Sequence, residues 1–454
     1  MFLNSIMKGL IHIMYKKSDY NIEVDSLENG DILLYNTLKT SFGIMDVETK
    51  EIYNRIEELS SDEIENLKEN KNFNTLLNFG YIIPKNLKEL DILKLNSQTS
   101  KFLSRSLALT IAPTLNCNMA CPYCYENKGD IKMEENVKIV LFDFVKNYLE
   151  TNACLSFQVT WYGGEPLLEV DTIVDLSTKF IELCKEKKIQ YNASIVTNGV
   201  LLTRDVALLL KDCCNIDRVQ ITIDGLPEYH NKRRILVDGR DSFNIIVDNI
   251  ENCKDLLEIA VRVNVDKLNM DNIEALSDYL IDKKGWIDNP YVHLAPVEKY
   301  NDNCYLKGDE CLNAEEFAEL DNKLLDKLYK VNSRVMKAML YPQVKGNYCG
   351  AVQHGVFVVD PEGDLYTCWN VIGFKERKVG NIIQNNPMNI EYIKWLTHEP
   401  SGKCLSCSLL PICLGGCPHE FFSHGEPRCE KRIQNYKDKL KFAYNDYAIK
   451  KYNV

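Results

Sequence analysis

Three thiols fall within eight residues in Cys117-Asn-Met-Ala-Cys121-Pro-Tyr-Cys124. A second group reads Cys349-x13-Gly363-x4-Cys368, then Cys404-x2-Cys407-x5-Cys413-x3-Cys417-x11-Cys429. Seventeen cysteines in 454 residues is a high count, and in a reducing cytoplasm such an excess signals metal binding or catalysis more than disulfides. A 4Fe-4S cluster takes four ligands, so three thiolates from one short loop leave an iron open to chelate a small molecule. Zinc fits less well. Its ligand pairs are commonly separated by roughly 12 to 20 residues, whereas five separate Cys407 from Cys413. Cys154, Cys184, Cys213, Cys214 and Cys253 read as small buried hydrophobes.

Such thiols need rigid elements to aim them. Short β-rich runs at 107–113, 155–162, 193–197, 218–223, 260–265 and 291–296 alternate with helical patterning at 136–148, 170–185 and 242–257. That rhythm predicts an α/β fold, a partial (β/α)6 TIM-like barrel. The first cysteine loop follows the first strand, at the C-terminal mouth where barrel sites form. Around this unit, at 107–300, we place a small mixed unit at 1–95, a polar linker at 96–106, a helical bridge at 301–345 and a Cys- and Gly-rich unit at 346–430. The chain ends in a helix over 431–454. The first unit carries a strand at 31–35, a helix at 47–59 and another ending at Gly80, a winged-helix-like pattern. The 346–430 segment lacks the apolar residues of an ordinary core, so something other than hydrophobic burial is expected to hold it. In the last helix Ile433, Tyr436, Leu440 and Tyr447 share one face, expected to pack back on the body.

The first cysteine group resembles the CxxxCxΦC signature of the radical S-adenosylmethionine (radical SAM) superfamily, with Tyr123 at the aromatic position. Further motifs agree in order. Gly163-Gly164-Glu165-Pro166 resembles the superfamily's GGE segment, implying contact with the methionine amino group. Thr197-Asn198-Gly199 and Thr222-Ile223-Asp224-Gly225 end the third and fourth strands and, by resemblance, approach the ribose; Asn264 ends the fifth. His230-Asn231-Lys232-Arg233-Arg234 is similar to the HDxxR segment, giving Arg234 the cofactor carboxylate, with Arg233 as the competing assignment.

The seven-cysteine pattern resembles a SPASM domain. By resemblance Cys404, Cys407, Cys413 and Cys429 ligate an outer auxiliary cluster completely. Cys349, Cys368 and Cys417 would then supply an inner one and leave it one ligand short. Cys304, Cys311 and His354 are candidates for that place. The resemblance therefore implies three 4Fe-4S clusters and S-adenosylmethionine, with a reducing partner such as flavodoxin or ferredoxin.

Charge narrows the partners. The formal net charge is −11 with no long single-sign block, which argues against nucleic acid or an anionic membrane. No run reaches the roughly 18 apolar residues of a membrane helix. Residues 1–15 are broken by Lys8 and His12 and lack a small-residue cleavage site, so a cytoplasmic chain is expected. By resemblance to peptide maturases, the long N-terminal unit implies a precursor peptide with a leader, added as a strand at residues 31–36, the alternative being a structural cap on the barrel. Glu298 and Tyr300, just beyond the sixth strand, are candidate substrate contacts, and no base is assigned. The expected reaction is formation of Cys sulfur-to-carbon thioether crosslinks in a ribosomally made peptide. The alternatives are a formylglycine-forming anaerobic sulfatase maturase, a non-catalytic iron–sulfur electron carrier and a zinc scaffold.

Overall fold

The computed structural model describes residues 13–384 and 389–452. Most of the 1–15 stretch, read above as no secretion signal, lies outside the described residues. The chain begins with β1 (Tyr15–Lys17), β2 (Asn21–Ser26), β3 (Ile32–Asn36), β4 (Ser41–Met45), α1 (Val47–Arg55), α2 (Ser61–Leu67), α3 (Lys71–Asn78), β5 (Ile82–Pro84) and α4 (Glu89–Phe102). The three short helices start where side chains satisfy free N–H groups. Asp46 accepts from Thr49, Ser60 forms a capping box with Glu63, and Asn70 accepts from Asn72 and Phe73. Their apolar faces bury Ile56, Ile64, Phe73 and Leu76 against Ile32 and Leu34 of β3.

The small sheet has the order β2-β3-β4, all antiparallel. This corrects the edge expected at residues 31–36. β3 is the central strand, buried at every position and paired on both sides, so it has no free edge to offer; β2 and β4 are the edges. A second correction concerns 96–106, expected as a linker: it is helical through Phe102 as part of α4. That helix is anchored, because the buried Lys101 ammonium donates to the carbonyls of Leu396 and His398.

The middle of the chain runs β6 (Ser106–Ile111), α5 (Glu135–Thr151), β7 (Ser156–Trp161), α6 (Val170–Lys187), β8 (Gln190–Thr197), α7 (Arg204–Cys214), β9 (Ile216–Thr222), α8 (Pro227–Arg233), α9 (Phe243–Cys253), β10 (Glu258–Val265), α10 (Ile273–Ser277) and β11 (Tyr291–Pro296). β6 to β11 lie side by side in chain order and every neighbouring pair is parallel. Parallel neighbours need crossovers, which the helices supply. Strand residues such as Leu107, Phe157, Ile195, Ile221 and Val261 are buried in one continuous core with Leu141, Phe180 and Ile250 of the helices. Cys154, Cys184, Cys214 and Cys253 are buried as expected, while Cys213 is exposed; it follows a residue facing solvent on α7.

The remainder comprises α11 (Ala314–Lys330), α12 (Arg334–Met339), β12 (Val356–Val359), β13 (Asp364–Tyr366), β14 (Gly380–Asn381), α13 (Ile390–Leu396), α14 (Leu410–Cys413), α15 (Pro418–His424) and α16 (Tyr436–Tyr452). β12 pairs parallel to β6, on the side away from β7, and β13 and β14 follow antiparallel, giving a nine-stranded sheet. The 346–430 segment therefore does have a core, contrary to expectation. Phe357 and Tyr366, on the strands that extend the central sheet, and Trp395, on α13 against Ala351 and Val352, are fully buried. α16 returns to the N-terminal sheet, with Leu440 buried against Val24, Leu33 and Tyr35. Tyr447, expected on that buried face, is about half exposed. Among the described residues no helix is long and apolar enough to cross a membrane.

Candidate active site

The C-terminal ends of β6 to β11 open on a cavity of about 190 Å³. It is lined by Cys117, Cys121, Tyr123, Cys124, Gly163, Gly164, Thr197, Asn198, Thr222, Arg234 and Asn264. The structure thus brings together residues from five different strand ends. The two glycines are required by close approach. Gly163 adopts φ +107°, and a Cβ on Gly164 would lie 2.1 Å from the Asn116 carbonyl oxygen. Only glycine lets the loop after β7 press against the loop carrying Cys117.

Two expected cofactor contacts, Glu165 and Asp224, lie behind the cavity wall, both fully buried. Glu165 accepts from the Thr197 hydroxyl at 2.6 Å, the Asn198 N–H at 2.7 Å and the Leu167 N–H at 3.0 Å. It ties the end of β7 to the end of β8. Asp224 accepts from the Tyr123 hydroxyl and from the Asn264 N–H. It joins the cysteine loop to β10. Both carboxylates are spent on holding loops, because the ends of parallel strands leave N–H groups that need acceptors.

The two arginines differ in geometry. Arg233 forms a bidentate pair with Asp266, at 3.0 and 2.7 Å, and lies over the Tyr123 ring. Arg234 lines the cavity, donates to the Tyr123 hydroxyl at 2.8 Å, and keeps its buried Nε without a partner. Sequence reasoning missed Lys128, Arg262 and Gln220, which also line this cavity. Lys128 stands four residues after Cys124, and its ammonium reaches the Met119 carbonyl at 2.8 Å.

Burial pushes the Cys117 thiol up to about 11 and the Cys124 thiol up to about 12, although Lys128 opposes this. Thiols so placed ionise only with a nearby cationic centre, and soft thiolates suit iron. The donor set therefore fits a cluster. Among the described residues no three His, Cys, Asp or Glu side chains are gathered as for a single metal ion.

A second, larger cavity of about 550 Å³ is bordered by Cys349, Cys368, Cys417 and Cys429. Burial, then Cys349 and Cys417, push the Cys368 thiol up, and all three border this one cavity. Cys404 lies beside Cys407 and Cys429, which raise it after burial does. Cys413 lies beside Glu430. None of the three residues suggested to complete the inner group borders this cavity. Cys304 is buried with Tyr123 and Val297 near the first site, Cys311 lies beside Glu298 and Cys304, and His354 sits between Tyr148 and Tyr392. The two cavities share Tyr125, Arg262, Pro296, Glu298, Tyr300 and Trp369 as walls. Tyr162 packs on Trp369 at 4.8 Å and hydrogen-bonds Tyr125, bracing that partition.

Residues 111–280 match the family model described as the radical SAM superfamily. The chain carries a radical SAM domain. A domain of this kind implies a radical SAM enzyme with S-adenosylmethionine and a 4Fe-4S cluster as cofactors. The chain is 27% identical over 344 residues to the cysteine-type anaerobic sulfatase-maturating enzyme of Clostridium novyi, covering 69% of this chain and 88% of that one. It is 27% identical over 354 residues to the mycofactocin maturase of Mycolicibacterium smegmatis, covering 74% and 83%. Among solved structures it resembles the native sulfatase-maturating enzyme anSMEcpe with bound S-adenosylmethionine and a peptide, at TM-score 0.59 and 22% identity, over 77% of this chain and 100% of that one. It also resembles SuiB of Streptococcus suis bound to the precursor peptide SuiA, at TM-score 0.53 and 17% identity, over 92% and 99%. A match over 92% of the chain reaches into the unit before the radical SAM domain, because residues 1–102 are more than a fifth of the whole.

Proposed function

We propose that this radical SAM enzyme is a peptide maturase that joins a cysteine sulfur to a side-chain carbon of a ribosomally made peptide. The observation that carries the reading is the pair of cavities with a common wall. One holds the superfamily thiols; the other, nearly three times as large, holds Cys349, Cys368 and Cys417 and has room for a peptide segment. In this proposal Cys117, Cys121 and Cys124 hold the superfamily cluster. Cys349, Cys368 and Cys417 hold an inner SPASM cluster with a place left for a substrate thiolate, and Cys404, Cys407, Cys413 and Cys429 hold an outer one.

When bound, the superfamily cluster and S-adenosylmethionine supply a 5′-deoxyadenosyl radical that takes a hydrogen atom from carbon. The chain's own residues do the placing. Arg234 offers a guanidinium to the methionine carboxylate, Gly163 and Gly164 bring backbone close to it, and Thr197, Asn198, Thr222 and Asn264 line the rest of the cavity. In the N-terminal unit the leader-binding role passes from the buried β3 to the edge strand β4, where Ile44 is exposed.

Mass spectrometry tests the reading. The reconstituted enzyme is incubated anaerobically with reductant, S-adenosylmethionine and a cysteine-containing peptide encoded beside the gene. Loss of two hydrogens per modified, no longer alkylatable cysteine is the expected result. Conversion of a short sulfatase peptide to formylglycine without any leader would favour the sulfatase-maturase reading, which the Clostridium novyi relative supports. Alanine at Cys117, Cys121 or Cys124 should abolish 5′-deoxyadenosine formation and remove about four irons per chain, leaving the auxiliary iron. No 5′-deoxyadenosine from the fully iron-loaded parent would leave an electron carrier.

A further inference from the structure

The larger cavity carries a charge imbalance. Its lining includes Glu298, Glu420 and Glu430, and each already has partners. Glu298 pairs with Lys431 at 2.7 Å, and Glu420 with Arg428 at 3.1 Å. Glu430 accepts from the Tyr348 hydroxyl through one oxygen and from the Arg432 backbone N–H through the other. Among the described residues, two lining cations are without an ion pair, against one such carboxylate, Glu430. Arg262 donates its Nε to the Asn264 side-chain oxygen at 2.7 Å, makes no ion pair among the described residues, and borders the cavity. The Arg432 side chain, at the exposed rim, makes no hydrogen bond or ion pair among the described residues.

Both cations border the same cavity. Burial and the Arg432 charge pull Arg262 below the usual arginine range, and burial with both arginines pulls His293, beside Arg262 on β11, down to about 4. Like charges converging on a half-buried cavity are costly until an anion lies between them. Guanidinium geometry selects a planar, bidentate acceptor, which is what a carboxylate presents.

We propose that Arg262 and Arg432 form a recognition site for a carboxylate of the peptide, an Asp or Glu side chain held where the two cavities meet. The inference rests on the peptide-maturase reading and names the chemistry of the residue presented. Arg262 borders both cavities, so a carboxylate held there places its own side-chain carbons at the common wall.

The test is a binding titration of the anaerobic, iron-loaded enzyme with S-adenosylmethionine but no reductant. Trp369, in the shared wall, serves as the fluorescent reporter. Three probes are compared: acetyl-Cys-Ala-Ala-Asp amide, acetyl-Cys-Ala-Ala-Asn amide, and the Asn peptide as its free acid. The Asp amide should bind at least tenfold more tightly than the Asn amide. The preference should shrink severalfold in Arg432→Gln, whose exposed position leaves the fold intact, and vanish in Arg262→Gln/Arg432→Gln, with the Asn amide bound as before. Equal binding of the Asp and Asn amides, no binding of the Asp amide, or a preference surviving the double variant would overturn the proposal. Tight binding of the free acid alone would overturn the side-chain assignment in favour of a C-terminal carboxylate. Arginines serving only to balance an auxiliary cluster would shift its reduction potential and leave the Asp/Asn ratio at one, again overturning it. Formation of 5′-deoxyadenosine once reductant is added separates the two readings. Crosslinked native peptide without carboxylate preference sinks only this inference, whereas no peptide product sinks the maturase reading.

Discussion

Arg233 and Arg234 are adjacent, equally charged and almost equally buried, yet they do different work. Arg233 is the last residue of α8, and Arg234 leaves the helix at φ −120°, ψ 67°. That backbone change sends one guanidinium to Asp266 and the other into the cavity. Arg233→Ala strands a buried carboxylate and should destabilise the protein by about 3–5 kcal/mol, read as a lower urea midpoint under anaerobic conditions. Arg234→Gln should spare the fold and raise the KM for S-adenosylmethionine roughly 10- to 100-fold, because hydrogen bonds to charged groups are worth about 1.5–3 kcal/mol. The reverse pattern would exchange the two roles. The motif was legible in the sequence as a pair of candidates; the choice between them depends on a helix end that the sequence does not mark.

At the level of elements, the loops after β6 and β7 work as one piece. The Asn116 carbonyl accepts from the Glu165 N–H at 2.8 Å, and the Thr114 carbonyl from the Gly164 N–H at 3.2 Å. Gly164→Ala places a methyl group against that backbone, so the cysteine loop has to move. The expected outcome is lower iron content and loss of 5′-deoxyadenosine formation while the far-ultraviolet circular dichroism stays unchanged. α16 holds the N-terminal sheet in a comparable way. Leu440→Ala removes a fully buried side chain from between Val24, Leu33 and Tyr35, and should cost about 2–5 kcal/mol. The loss should appear as faster hydrogen exchange in β2 and β3, with the radical SAM site unaffected.

At the scale of the whole fold, burial pulls four histidines among the described residues below the usual range: His230, His293, His354 and His398. Burial lowers His230, with Arg234 and Arg233 adding to it; burial and arginine neighbours bring His293 to about 4, and burial with Lys101 brings His398 to about 4. The unfolded chain takes up these protons near pH 6.5, while folded His293 and His398 resist until about 4. Stability from this source is therefore complete above about pH 7 and is lost as pH falls from 6.5 toward 4. Urea midpoints at pH 7.5 and 5.5 should show that drop, and His293→Gln should lessen it.

Cysteine spacing and the strand–helix rhythm are written in consecutive residues, so the run of parallel strands with crossover helices and the cysteine loop at its end could be read directly from the chain. The middle strand β3, the pairing of β12 with β6, and the wall common to the two cavities join segments far apart in sequence. A strand's apolar pattern shows that it is buried, but not which neighbours bury it. For the same reason nothing in the run 260–265 marks out Arg262. Its place acquires meaning only because folding sets Arg262 and Arg432 on the lining of one cavity.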